Sequence, residues 1–231
     1  MKTIGIIGGL GPESTIEYYR SIITAYVERI RDGSSPSIII NSIDLKKVLE
    51  LVAANELARL TAYLVSEIER LARAGARCGL VAANTPHIVF DELRRQSPIP
   101  LISIVEVTCE AAKGLGLRKL GLFGARFTMQ GRFYPDVFSR EGIMLAVPDE
   151  HDQAFIHHIY FNELVKGIVL PETRERLFTI VDRLKEREGI QGLILGGTEL
   201  SLILRDATAR GIPVLDTTRI HAKAIVAEAL S

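Results

Sequence analysis

An internal repeat constrains the fold of this 231-residue chain more than any local pattern does, because similar halves imply similar folds. Three segments of the first half reappear in the same order in the second half, at offsets of 113 to 116 positions. The pairs are residues 2–9 (KTIGIIGG) with 118–125 (RKLGLFGA), 79–85 (GLVAANT) with 192–198 (GLILGGT), and 99–104 (IPLISI) with 212–217 (IPVLDT). These ordered matches predict a duplicated chain.

Each half alternates short apolar runs with amphipathic stretches, which is typical of parallel sheets covered by helices. With 47% hydrophobic residues, the chain can bury one large core or two smaller ones. We therefore predict an α/β fold with two pseudo-symmetric domains, each a mostly parallel sheet flanked by helices and related by the duplication. Residues 1–115 form the first half, which the C-terminal helix 217–231 completes, and residues 116–216 form the second.

Three helices are predicted from boundary signals and apolar spacing. Ser14 and Glu17 fit a capping box that opens a helix running to about Gly33. A second helix covers residues 55–74, where leucine and isoleucine recur at helical spacing, and the last one covers residues 217–230. We assign the apolar stripes of these helices to the core.

Charge and cysteine content limit the classes of partner and of metal or disulfide site that this chain can have. Lysine plus arginine and aspartate plus glutamate number 28 each, and no run of like charge indicates a nucleic acid or an anionic membrane as partner. Cys78 and Cys109 stand apart from any Cys/His cluster, so we expect neither a disulfide framework nor a metal site. The N-terminal apolar stretch is too short for a signal peptide, and we expect a cytoplasmic protein with a small-molecule ligand.

Polar residues follow one predicted strand in each half. Thr85 fits the N-cap and Pro86 the first position of a helix that includes residues 87–95. Thr198 and Glu199 open the stretch SLILRDATARG in the second half in the same way. Because helix N-termini attract anions, we expect a carboxylate or phosphate ligand in a cleft between the halves.

Other interpretations of these segments stay open. His87 lies near the strand end and is a candidate base, although a packed histidine is the commoner role. Glu199 also suits the positive end of a helix dipole. The first loop, GGLGPES, follows a strand as a dinucleotide-binding loop does, but Ser14 stands where that motif has glycine or alanine and Pro12 interrupts it.

Six segments, spread over the whole chain, resemble the aspartate/glutamate racemase family. They are GIIGGLGPEST with YYR (residues 5–20), AANTPH (82–87), LFGARFTM (122–129), FNELVKG (161–167), LILGGTEL (193–200) and PVLDTTRIHA (213–222). The resemblance implies two pseudo-symmetric α/β domains and a homodimer. It also implies racemisation at the α-carbon of an acidic amino acid, aspartate or glutamate, without pyridoxal or another cofactor.

The resemblance further implies two catalytic cysteines that transfer protons on opposite faces of the substrate. One precedes the Asn-Thr of the first motif and the other precedes the Thr-Glu of the second. This chain has Ala83 and Gly197 at those positions, and neither residue can transfer a proton. His87 and Glu199 remain as candidate catalytic groups, acting directly or through a neighbouring threonine.

The binding residues carry over better than the catalytic ones. Asn84, Thr85 and Thr198 match the positions that, by the resemblance, hold the α-carboxylate and the amino group. Ser14 and Thr128 fall in loops that border the cleft. Lys166 is the first candidate for the side-chain carboxylate of the substrate, and Lys46 or Lys47 the second.

Two classes of function are therefore predicted. The first is an enzyme of the racemase family, either without its thiols or with a different isomerase or lyase reaction. The second is a protein that binds a dicarboxylate or an amino acid without turnover.

Overall fold

The computed structural model describes residues 1–204 and 211–231, which form two compact units. The first unit contains Met1–Ile104 and His221–Ser231, and the second contains Val105–Ile220. Among these described residues, none of the helices has the length and apolar content needed to cross a membrane.

The first unit is built on three parallel strands. Their order is β2-β1-β3, with β1 (Ile4–Gly8) between β2 (Ile38–Ser42) and β3 (Cys78–Val81). Its helices are α1 (Pro12–Ile30), α2 (Leu45–Ala53), α3 (Leu57–Arg73) and α4 (Phe90–Gln96), with a 3₁₀ helix at Thr85–Val89. The helix α5 (Ile104–Gly114) begins at the last residue of this part and continues into the second unit.

The second unit is built on four parallel strands in the order β5-β4-β6-β7. The strands are β4 (Lys119–Gly124), β5 (Met144–Ala146), β6 (Gly192–Gly196) and β7 (Val214–Asp216). The helices are α6 (Arg126–Gln130), α7 (Phe133–Arg140), α8 (Glu150–Asn162), α9 (Pro171–Glu188) and α10 (Leu200–Leu204), with a 3₁₀ helix at Leu164–Lys166. The last helix, α11 (Thr217–Leu230), begins in the second unit and continues into the first from His221.

The strand orders reproduce the sequence repeat. β1 and β3 lie in the segments that match those of β4 and β6, and the two strands of each pair are hydrogen-bonded neighbours in their sheet. Beside β3, a parallel bridge joins Gly79 to Leu101, in the segment that matches the one containing β7. The predicted fold class is confirmed: two parallel sheets, each flanked by helices.

Each unit has its own apolar core. In the first, the buried face of α1 (Tyr18, Ile22) packs with Ile4 and Ile6 of β1. The end of α11 completes this core with Ala222, Ile225, Val226 and Ala229. In the second, apolar residues of α8 and α9 pack on Leu193 and Leu195 of β6. Burial of such side chains contributes roughly 1.5–3 kcal/mol each to folding.

Two of the three predicted helices have the expected limits, since α3 covers Leu57–Arg73 and α11 covers Thr217–Leu230. The capping box at Ser14 is wrong. The helix α1 begins at Pro12 after Gly11, and it ends at Ile30 because Arg31 adopts a left-handed φ of 55°. Thr15 stabilises the loop between β1 and α1, because its hydroxyl accepts from the Gly9 amide (2.9 Å) and donates to the Gly11 carbonyl (3.0 Å).

Candidate functional site

The end of β3 in the first unit carries several of the predicted site residues. Ser14, in the first turn of α1, is buried and donates from its hydroxyl to the carbonyl oxygen of Ala82 at 3.3 Å. Ala83 and Asn84, which follow Ala82 in the chain, are buried, while Thr85 is half-buried. The structure therefore brings Ser14 to the AANTPH motif, through a hydroxyl that sequence reasoning had assigned to a cap.

The helix predicted to start at Thr85 begins differently. Residues Thr85–Val89 form a 3₁₀ helix after Asn84, with no side-chain cap, and the α-helix follows only from Phe90. The amide of His87 donates to the carbonyl of Asn84 at 3.0 Å, which is the tighter hydrogen bond of a 3₁₀ turn. The N-cap role predicted for Thr85 is thus wrong.

His87 is a packed histidine whose two ring nitrogens both have partners. Nδ1 lies 3.0 Å from the carbonyl oxygen of Ala83 and Nε2 accepts from the amide of Ile104 at 3.2 Å. Its ring stacks on Phe90 with centroids 4.7 Å apart. Burial, and next the charge of His221, lower the pKa of His87 to about 3. A neutral ring with both nitrogens engaged suits a structural role and leaves no nitrogen to take a substrate proton.

His221 was not among the predicted residues, although it extends the same polar network. Its Nε2 lies 2.9 Å from the carbonyl oxygen of Ile102, and its Nδ1 lies 2.8 Å from the hydroxyl of Tyr18. With Nε2 donating to the carbonyl, Nδ1 accepts from the phenol. Burial lowers the pKa of His221 to about 4. His87 thus joins the AANTPH segment to Ile104, and His221 joins α11 to Ile102 and to Tyr18 of α1.

The end of β6 in the second unit carries a buried carboxylate. Glu199 is almost fully buried, and its Oε2 accepts from Thr198 at 2.7 Å and from the phenol of Tyr160 in α8. Burial, and then the negative charge of Glu199, hold the pKa of Tyr160 well above its usual value. α10 begins directly after this pair, as predicted, whereas residues 205–210 of the stretch SLILRDATARG lie outside the described residues.

Tyr160 also occupies the space beside Gly197. A Cβ built on Gly197 would lie 2.5 Å from Cε2 of Tyr160 and 3.3 Å from Cδ1 of Leu200. Real Cβ atoms do not approach another carbon so closely. Sequence reasoning missed Tyr160 because 39 positions separate it from Glu199, and no local pattern connects the two.

The other predicted binding residues differ in their surroundings. Thr128 in α6 is fully buried, and its methyl side packs against Gly124 and Gly196, at the ends of β4 and β6. Among the described residues its hydroxyl has no hydrogen-bond partner. Lys166 lies exposed in the 3₁₀ helix after α8. These positions place Thr128, but not Lys166, at the strand ends of the second unit.

Lys46 and Lys47, the second candidates for the substrate's side-chain carboxylate, are both engaged at the surface of α2. Lys46 lies 3.7 Å from Glu50, and Nζ of Lys47 lies 3.7 Å from the ring centre of Tyr63. Both contacts are ordinary stabilising contacts of exposed side chains.

Neither cysteine can replace a thiol at position 83 or 197. Cys78 begins β3, at the opposite end of the strand from Ala83, and Cys109 lies within α5. Both thiols are free and buried, and burial raises the pKa of each to about 11. A thiol with that pKa is almost entirely protonated at neutral pH and is a poor nucleophile and base.

One cluster in the described part of the chain has the spacing of a metal site. Ligand atoms of Asp149, His151 and Asp152 lie within 4.8 Å of one another. Asp149 caps α8 through the amide of Asp152 (3.0 Å), and Asp152 forms an ion pair with Arg183. Helix capping and this ion pair account for the acidic residues without a metal.

Comparison with known proteins agrees with a fold of two parallel sheets flanked by helices. The family model described as Asp/Glu/Hydantoin racemase matches residues 7–225. The chain belongs to this family. Broad specificity amino-acid racemase RacX of Bacillus subtilis (strain 168) is 23% identical over 236 aligned positions, covering 99% of this chain and 98% of RacX.

Among solved structures, an aspartate racemase homologue from Pyrococcus horikoshii OT3 is 34% identical with a TM-score of 0.86, and the match covers 100% of both chains. Glutamate racemase from Francisella tularensis subsp. tularensis SCHU S4, solved in complex with D-glutamate, has a TM-score of 0.68 at 14% identity, covering 99% of this chain and 81% of that one. The second likeness shows the fold alone. Ala83 and Gly197 are therefore compared below with the residues that the racemase-family resemblance implies at these two positions.

Proposed function

We propose that this racemase-family chain binds a small acidic amino acid at its strand-end motifs and, because it lacks the two thiols, does not racemise it. The observation that carries the proposal is the pair Ala83 and Gly197, which occupy the two positions where the family resemblance implies cysteine. Racemisation needs a proton acceptor on one face of the α-carbon and a proton donor on the other. Neither residue has an ionisable side chain.

The residues around these positions support binding. Asn84 and Thr85 follow Ala83, and Ser14 lies against the same strand end through its hydrogen bond to Ala82. In the second unit, Thr198 is retained, and the fully buried Thr128 packs its methyl group beside Gly196. Amide and hydroxyl groups of this kind hydrogen-bond a carboxylate or an ammonium group. The D-glutamate complex of the Francisella racemase shows that one protein with this fold binds such a ligand.

A second candidate is a different isomerase or lyase reaction. The observation that favours it is the Glu199 carboxylate, which is almost fully buried and accepts hydrogen bonds from Tyr160 and Thr198. Buried ionisable groups with specific partners are frequent in active sites. His87 does not support this reaction, because both of its ring nitrogens are engaged.

The test is proton NMR of L-aspartate and L-glutamate with the protein in deuterium oxide, together with calorimetric titration of each ligand. We expect binding with no loss of the α-proton signal. The variants Asn84→Ala and Thr198→Ala should each weaken binding by about tenfold, the factor for one lost hydrogen bond of ~1.4 kcal/mol. Thr179→Ala is the control, because the hydroxyl of that exposed threonine donates to the carbonyl of Glu175 within its own helix. Loss of the α-proton signal with formation of the D-isomer would refute the proposal.

The proposal includes three further properties predicted from the sequence, of which the resemblance implies the first and the third. The chain acts without a cofactor, is cytoplasmic and forms a homodimer. Exposed apolar side chains of α1, namely Ile16, Tyr19 and Val27, support a contact surface in the first unit. Light scattering on the wild type and on Val27→Glu tests the dimer: a wild-type monomer, or a variant as dimeric as the wild type, would contradict this surface.

A further inference from the structure

Tyr160 and Gly197 constrain each other at the end of β6. The φ of Gly197 lies outside the left-handed region, so its backbone would accept an L-amino acid. What opposes a side chain at this position is the ring of Tyr160, whose Cε2 and Cδ2 would lie 2.5 Å and 3.3 Å from a Cβ at residue 197. Glycine is therefore required here by a neighbouring side chain and not by the backbone.

The ring of Tyr160 is held at both ends. Its base belongs to the apolar core of the second unit, and Phe161 packs against it edge to face with centroids 5.2 Å apart. Its hydroxyl donates to the buried carboxylate of Glu199, which Thr198 also holds. Moving the ring aside would break a buried hydrogen bond and disturb close-packed neighbours, and both changes cost free energy.

We propose that Tyr160 determines which residue position 197 can hold, and that it thereby excludes a proton-transferring side chain from the end of β6. The inference rests on the proposed function, in which position 197 belongs to the ligand-binding motif. The inference goes beyond the proposed function because it names Tyr160, a residue outside that motif, as the residue that limits which side chains position 197 can hold. A single substitution of Gly197 by cysteine would meet the ring of Tyr160, so a thiol needs a change at both positions.

The test compares Gly197→Ala in the wild type and in the Tyr160→Phe, Tyr160→Leu and Tyr160→Met backgrounds by thermal unfolding. In the wild type and in Tyr160→Phe, which keeps the ring, Gly197→Ala should lower Tm by roughly 2–10 °C, as overpacking does. In Tyr160→Leu and Tyr160→Met, which remove the ring, the shift should fall to about 1 °C or less. Two ring-free backgrounds keep the comparison independent of the stability of either one.

Gly114→Ala is the matched control, because no atom lies within 4 Å of a Cβ built there and its φ is also outside the left-handed region. It should leave Tm unchanged or slightly raised in every background. The proposal would be overturned if Gly197→Ala lowered Tm equally in the backgrounds with and without the ring, or if it did not lower Tm in the wild type. These measurements contain no ligand, so their failure is distinct from a failure of the proposed function, which is judged by binding and exchange.

Discussion

Acidification from pH 7.5 to pH 5 should destabilise this protein through His87 and His221. In the folded chain, burial lowers the pKa of His87 to about 3 and that of His221 to about 4, so both rings stay largely neutral at pH 5. In the unfolded chain each histidine has a pKa of about 6.5 and becomes protonated over this interval. The unfolded state then binds more protons than the folded state, and stability falls as pH falls.

The magnitude follows from the unfolded pKa, provided that the folded value lies well below 5. At pH 5, protonation stabilises the unfolded state by about 2 kcal/mol for each histidine, or about 4 kcal/mol for both. This is a large part of the 5–15 kcal/mol or so by which a typical domain is stable. The loss should begin near pH 6.5 and continue towards the folded pKa values.

Urea unfolding followed by circular dichroism, at pH 7.5 and pH 5, measures this loss. His87→Gln should be less stable than the wild type at pH 7.5, because it gives up packing and hydrogen bonds, but its pH-dependent loss should be smaller by about 2 kcal/mol. His151→Gln is the control, since that side chain is 80% exposed. A pH dependence in His87→Gln equal to that of the wild type would refute the reasoning.

Three further predictions concern residues whose environments are known in detail. Ser14→Ala should lower the free energy of unfolding by about 1 kcal/mol in urea titrations, because it leaves a buried carbonyl oxygen without this donor. Gly9→Ala should lower the free energy of unfolding more than Gly33→Ala in the same assay. Both glycines have φ near 80°, but only at Gly9 would a Cβ collide with the Ile43 backbone. Equal costs would contradict this steric account. Cys78 and Cys109 should resist a disulfide reagent in the native protein and both react after unfolding; rapid native reaction would contradict their burial.

The fold could be predicted from the sequence because its signals are local and repeated. Apolar periodicity located α3 and α11 nearly to the residue. The repeated segments predicted two similar parallel sheets, since these segments contain β1 and β3 in the first half and β4, β6 and β7 in the second. The limits of α1 were harder to predict, because Ser14 fits the pattern of a cap but its hydroxyl donates to a carbonyl 68 positions away.

The sequence by itself therefore determined the α/β class, the duplication and the absence of a thiol at positions 83 and 197, which are properties of residue order and identity. Tertiary structure decided the roles of His87 and Gly197. His87 is structural because Ala83 and Ile104 engage both of its nitrogens, and Gly197 is constrained by a ring from a distant helix. Contacts between residues so far apart in the chain arise only from packing, and no local pattern encodes them.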